Sequence, residues 1–196
     1  MKKYTAAVVG TGRINVSSGK TLALGWPLTV DGILYKSSAG TLVLGANRAG
    51  VGAGGGTIVV TNGTLAVAAA DAVNGFTVSF APGTSLSLKA NLADAELTRY
   101  GIRNVGLAEP FVLGSGMTTL PFSVDVSDAG ALPKKGGVVG VLTVSDSATN
   151  ALESVFSVSK FLKGFKFTAV KIHDDDNGWT TYAARYEPTG FLISFR

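Results

Sequence analysis

The sequence predicts an all-β chain whose first half winds as a parallel β-helix, a single-stranded β-solenoid, followed by a β-rich C-terminal cap. Two observations predict the coil: a phrase that recurs about every 21 residues, and apolar residues alternating with a period of two inside it. A third is the vocabulary, which is rich in Gly, Ser, Thr, Val and Leu and so suits strands and tight turns.

The phrase occurs four times, as Gly19-Lys-Thr-Leu22-Ala-Leu24, Gly40-Thr-Leu42-Val-Leu44, Gly63-Thr-Leu65-Ala-Val67 and Gly83-Thr-Ser-Leu86-Ser-Leu88. Its first leucines stand at 22, 42, 65 and 86, giving steps of 20, 23 and 21 residues. Gly turns the chain, Thr opens an extended segment, and residues two apart point to one interior. One unit cannot bury its apolar face alone. Units stacked about 4.8 Å apart place the four leucines in an inward file. Upstream runs at Ile14–Val16, Ile58–Val60 and Phe76–Val78 supply a second strand per turn, with Leu28–Val30 in that place before the second phrase. An antiparallel β-sandwich is the alternative, since its strands also recur at short intervals. It gives no reason for one phrase to return at every second strand.

Residues 46–56, Ala-Asn-Arg-Ala-Gly-Val-Gly-Ala-Gly-Gly-Gly, raise the question of a phosphate cradle. Such loops open a helix, whereas Thr57-Ile-Val-Val60 follows here and reads as a strand. A loop between coils is the expectation.

Leu42-Val-Leu-Gly-Ala-Asn47, the Gly-rich stretch, Gly56-Thr-Ile-Val-Val60, Asn62-Gly-Thr-Leu65 and Ala69-Ala-Asp-Ala-Val73 resemble the autotransporter-associated β-strand repeat of exported bacterial passenger proteins. The likeness covers residues 38–75 well and residues 12–37 and 76–93 loosely. It departs at Asn47-Arg-Ala-Gly, where the aromatic and Thr residues of the usual turn are missing. The resemblance implies a right-handed parallel β-helix in a secreted or cell-surface protein, and it carries over no catalytic residue.

The vocabulary divides the chain into coils over residues 1–93 and a β-rich cap over 94–196. Aromatic residues number five in the first part and twelve in the second, while Gly falls from fifteen to eleven. Larger rings suit a thicker core or a cap that closes the apolar end of a solenoid. Phe122–Val126 and Val139–Val144 are predicted strands, and Asn150-Ala-Leu-Glu153 has the spacing of a capping box for a short helix over 151–157. Phe165–Ile172 and Trp179–Tyr186 form a hairpin around Asn177-Gly178, with a last strand at Phe191–Phe195.

Charged residues are only 15% of the chain, and the net charge of +4 is spread as single Lys and Arg residues among Gly and Ser in the first half. That pattern lacks the clustered bases and aromatic platforms of a nucleic-acid binder. No apolar stretch nears the roughly 20 residues of a membrane span. Cys is absent and His173 is the single histidine, so no metal centre or cofactor is expected. Asp174-Asp-Asp-Asn-Gly178 lacks the distal carboxylate of a calcium loop and reads as a hairpin tip. Asp174–Asp176 lie too near His173 in sequence to orient it as the base of a triad.

These observations give the expectation of a non-enzymatic structural or adhesive segment whose partners are a cell-surface polysaccharide or other copies of itself. A carbohydrate-binding module is the alternative, resting on Trp26, Tyr35 and Trp179, with Tyr182 beside Trp179, as rings that stack on sugars. A polysaccharide-active enzyme is the third reading, but the coils offer only Asp31 and Asp71, 40 residues or about two turns apart.

Overall fold

The computed structural model describes residues 4–48, 55–89, 101–125, 136–152, 157–160, 165–174 and 176–189. Chain order gives β1 (Ala6–Asn15), β2 (Thr21–Leu24), β3 (Leu28–Ser37), β4 (Thr41–Leu44), β5 (Thr57–Val60), β6 (Thr64–Val67), β7 (Thr77–Phe80) and β8 (Ser85–Lys89). The second half adds β9 (Ile102–Asn104), β10 (Phe111–Leu113), β11 (Phe122–Asp125), β12 (Gly137–Ser145), a 3₁₀ turn η1 (Asp146–Ala151), β13 (Ser157–Lys160), β14 (Phe165–Asp174) and β15 (Trp179–Pro188).

The chain is a parallel β-solenoid. One sheet stacks β1, β3, β5, β7 and β10, and a second stacks β2, β4, β6, β8, β11 and β13, with every pair parallel. The repeated phrase lies entirely in the second sheet. There Leu22, Leu42, Leu65, Leu86 and Phe122 are register partners in one file, and Leu24, Leu44, Val67, Leu88 and Val124 form the next. The inner residues of β4, β5, β6 and β7 are buried, while their outer Thr, Val, Ala and Ser residues are partly exposed. Sequence alternation thus becomes inside and outside, as a two-residue period requires.

Register in the first sheet differs from the sequence reading. Leu28 and Val30 pair with Ala6 and Val8, and it is Leu34 and Lys36 that stand beside Ile58 and Val60. Val78 and Phe80, not Phe76 and Val78, continue that file. The reason is that β1 and β3 are ten residues long and bend at Gly10 and Gly32, both at positive φ, so one strand serves two sides of the coil. A Cβ on Gly32 would overlap the Gly10 carbonyl oxygen of the coil above. Glycine at this corner lets two backbones approach closely.

The parallel sheets run on past residue 93 through β10, β11 and β13. A third sheet, in the order β14-β15-β12-β9, closes the end. Here β12 pairs parallel with β9 and antiparallel with β15, and β15 pairs antiparallel with β14. The hairpin and the strands at Phe122 and Val139 match the sequence reading. Of the short helix expected over 151–157, Ala151 ends the 3₁₀ turn Asp146–Ala151, Leu152 makes a parallel β-bridge with Leu120 and Ser157 opens a strand, while residues 153–156 lie outside the described residues. The strand expected at Phe191–Phe195 lies outside the described residues, as do residues 49–54 of the Gly-rich loop. Among the described residues no helix is long and apolar enough to cross a membrane.

Candidate functional site

In the coils, the buried polar side chains Lys36, Ser37, Asn74, Thr84 and Asn104 stand at or beside the corners, where the chain leaves one sheet for another and backbone groups lose their ladder partners. At the corner after β3, Lys36 occupies an inward position between Ile14 and Val60 and is completely buried. Its Nζ donates to the carbonyl oxygens of Ser38 at 2.5 Å, Gly40 at 2.6 Å and Asn62 at 2.6 Å. An ammonium has three protons, and each finds an acceptor. Two of the carbonyls belong to one coil and the third to the next, so the side chain pins successive corners together. Burial pushes the Lys36 pKa below its usual value. Gly63, at φ +74°, leaves the room that this head group fills, since a Cβ there would lie 2.6 Å from Nζ.

The side of the coil that bears β9 carries a denser network. Arg103 Nε and Nη2 donate to Asp71 Oδ1 at 3.0 Å and Oδ2 at 2.7 Å, a two-point grip that joins successive coils. Asp71 Oδ1 also accepts from Asn74 Nδ2, and Asn74 Oδ1 accepts from the backbone of Val105 and Gly106. Asn104 is fully buried, accepting from Gly75 N–H and donating to the Phe76 carbonyl. Arg48 lies over the Phe76 ring at 4.6 Å and donates to the Asn74 carbonyl. Each of these groups satisfies backbone or charge left over where the coil turns.

At the cap, His173 Nδ1 lies 3.1 Å from Asp146 Oδ1, and Thr180 Oγ1 donates to the same oxygen at 2.7 Å. A carboxylate beside the histidine therefore comes from η1, and 27 residues of sequence separation hid it. Asp174 instead accepts from the backbone and side chain of Asn177, closing the hairpin tip as a tight turn. A shallow cleft of about 320 Å³ lies over the paired start of β12 and end of β15, lined by Gly136, Gly137, Val138, Arg185, Tyr186 and Glu187.

The three rings singled out from sequence are not brought together. Trp26 is 57% exposed in the turn before β3. Tyr35, on the outer face of β3, is half-buried with the Arg13 guanidinium 5.6 Å above its ring. Trp179 opens β15 in the third sheet, in register with Ser145, about four coils or 19 Å along the stack from β3. Tyr182 is fully buried and packs edge-on against Phe122 at 5.6 Å, so it has no face to offer a sugar. Asp31 is exposed on β3, while Asp71 is held by Arg103. Sequence reasoning missed Lys36, Asn74 and Asn104, because a polar residue standing alone carries little pattern. A lysine at an inward position of an alternating strand was the one readable signal.

Set against protein-family models, curated proteins and solved structures, the chain matches none.

Proposed function

We propose that this chain is a non-enzymatic structural or adhesive segment of an exported bacterial surface protein, contributing length and surface, not a reactive group. The observation that carries the reading is where its polar chemistry is used: Lys36, Asp71, Asn74, Arg103 and Asn104 all bind one coil to the next. Export rests on the likeness of residues 38–75 to the autotransporter-associated repeat. If the chain is a spacer or scaffold, a glycan array and a titration with divalent cations, both on the whole chain, are expected to be silent. Turnover of a polysaccharide by the chain overturns the non-enzymatic reading, and saturable glycan binding discards the spacer.

A second reading, carbohydrate binding, is favoured by Trp26, whose indole is the most exposed aromatic on the coils after Tyr4. It predicts that a soluble polysaccharide quenches Trp fluorescence and that Trp26→Ala removes the quench. A flat titration across diverse glycans discards it.

A further inference from the structure

The two ends of the solenoid differ. At the C-terminal end the third sheet is closed by an antiparallel hairpin, with Lys166 and Lys171 on its outermost strand β14. Charge on an edge strand discourages further pairing. At the N-terminal end, β1 pairs with β3 along one edge for ten residues, and among the described residues no strand pairs with its other edge. The same holds for β2 beyond β4.

The first coil is also left open to water on its apolar end. Leu22 is 42% exposed, although its register partners Leu42 and Leu65 are fully buried. Val8, Ile14 and Leu24 are covered on one side only, by the coil below. Tyr4, Val9, Leu22 and Trp26 make four of the seven large apolar side chains exposed among the described residues. The corner glycine Gly32 has the Gly10 carbonyl pressed on it, yet Gly10 in the equivalent place meets nothing within 4 Å. The surface has the geometry of an interior layer with its neighbour missing.

We propose that this end is an interface with a second copy of the chain, the two solenoids meeting N-terminal end to N-terminal end about a two-fold axis. The strand is complementary to itself. Ala6 N–H donates to the Pro27 carbonyl, so by alternation Ala7, Val9, Thr11 and Arg13 turn their backbone groups to the free edge. Centring the axis on Gly10 sets Val9 opposite Thr11 and Ala7 opposite Arg13 as hydrogen-bonded pairs, giving about eight backbone bonds. The same register sets Val8 over Gly12 and Ala6 over Ile14 on the inner side, each large residue facing a small one. Because Gly10 is the corner, the axis exchanges the two limbs of β1 and passes through β2 opposite. There it sets Leu22 against Leu24 of the second copy and Ala23 against Ala23.

Charge and size agree with this occupant. The Arg13 residues of the two copies lie about six residues apart along the paired strands, near 20 Å, so they do not oppose one another. The 14 residues of β1 and β2 cover about 500 Å² per copy and about 1,000 Å² in all, the size of a weak but specific dimer. The fold already makes such a junction internally, where parallel β12 accepts antiparallel β15. Closing about a two-fold pairs the free edges of β1 and β2 with their own copies, so this interface admits no third chain.

Sedimentation equilibrium of the whole chain is expected to show a mass rising toward twice 20.0 kDa as concentration climbs through the micromolar range. Val9→Pro, which removes only a donor aimed at the free edge, and Val8→Lys, which puts a charge on the inner side, are each expected to hold the chain monomeric with its β circular dichroism unchanged. The chain has no cysteine, so Ala23→Cys gives one thiol on or beside the axis, and mild oxidation is expected to yield a covalent dimer. Ser79→Cys, at mid-stack, is expected to yield none. A wild-type chain that stays monomeric throughout overturns the proposal. So does a dimer that survives both β1 variants, or one in which Ala23→Cys cross-links no faster than Ser79→Cys.

Discussion

Arg103 Nη2 lies 2.7 Å from Asp71 Oδ2, and the second contact from Nε at 3.0 Å makes the pair a two-point clasp between successive coils. Both side chains are largely shielded from water, so the pair is screened less than a surface ion pair. Asp71→Asn keeps the shape but removes the charge from beneath the guanidinium. The expected loss is about 2 kcal/mol in chemical denaturation, with Arg103→Gln costing a similar amount and the double variant less than the sum. Additive losses would show that the clasp contributes nothing as a pair.

The leucine file predicts a gradient. Leu65→Ala, at the centre of the stack, opens a cavity with coils on both sides and is expected to cost about 3 kcal/mol. Leu22→Ala removes a side chain already 42% exposed and is expected to cost about 1 kcal/mol when measured on the monomer. Urea unfolding of the two variants side by side checks the order.

Lys36→Met fills the same space but leaves the Ser38, Gly40 and Asn62 carbonyls without their donor. The expected loss is about 3 kcal/mol near neutral pH, because buried acceptors without partners are costly. The pH dependence has a definite sign. Burial lowers the Lys36 pKa, so the folded chain releases this proton before the unfolded chain does. Between the lowered value and 10.5 the unfolded state binds more protons, and this residue makes stability rise with pH. Lys36→Met is expected to abolish that rise in a series of denaturation curves.

Tyr182 acts in the opposite sense at higher pH. Burial raises its pKa from 10.0 to about 12, so the folded chain keeps a proton that the unfolded chain loses. Its contribution to stability is present below pH 10 and drains away up to about pH 12, by roughly 2–3 kcal/mol. Tyr182→Phe is expected to flatten this alkaline fall while keeping the edge-on contact with Phe122. An unchanged slope would assign the fall to other groups.

Much of the coil was legible before any coordinates. The phrase around Leu22, Leu42, Leu65 and Leu86 gave sheet, spacing and register together, since the structure sets all four in one file. The hairpin from Phe165 to Tyr186 was legible for the same reason, alternation on both arms with Asn177-Gly178 between them. Register in the first sheet was not: Leu28–Val30 looks as apolar as Leu34 in the sequence, and only the bend at Gly32 separates the two limbs of β3. Candidate ligand residues fared unevenly. Trp26 stands exposed as the composition of its turn suggests, whereas Tyr182 is consumed by packing against Phe122.

By itself the sequence determined the layered β architecture, because a two-residue period and a recurring Gly-Thr-Leu phrase are properties of neighbours along the chain. Only the tertiary structure decided which polar groups meet. Asp71 finds Arg103 across 32 residues, Lys36 finds Asn62 across 26, and His173 finds Asp146 across 27. Such pairs depend on how much chain each coil spends at its corner, and the step between register partners runs from 20 residues (Leu22 to Leu42) to 36 (Leu86 to Phe122) while the strands keep their stacking. Stacking converts that irregular spacing into contact, since hydrogen bonds between coils fix which corners lie above one another.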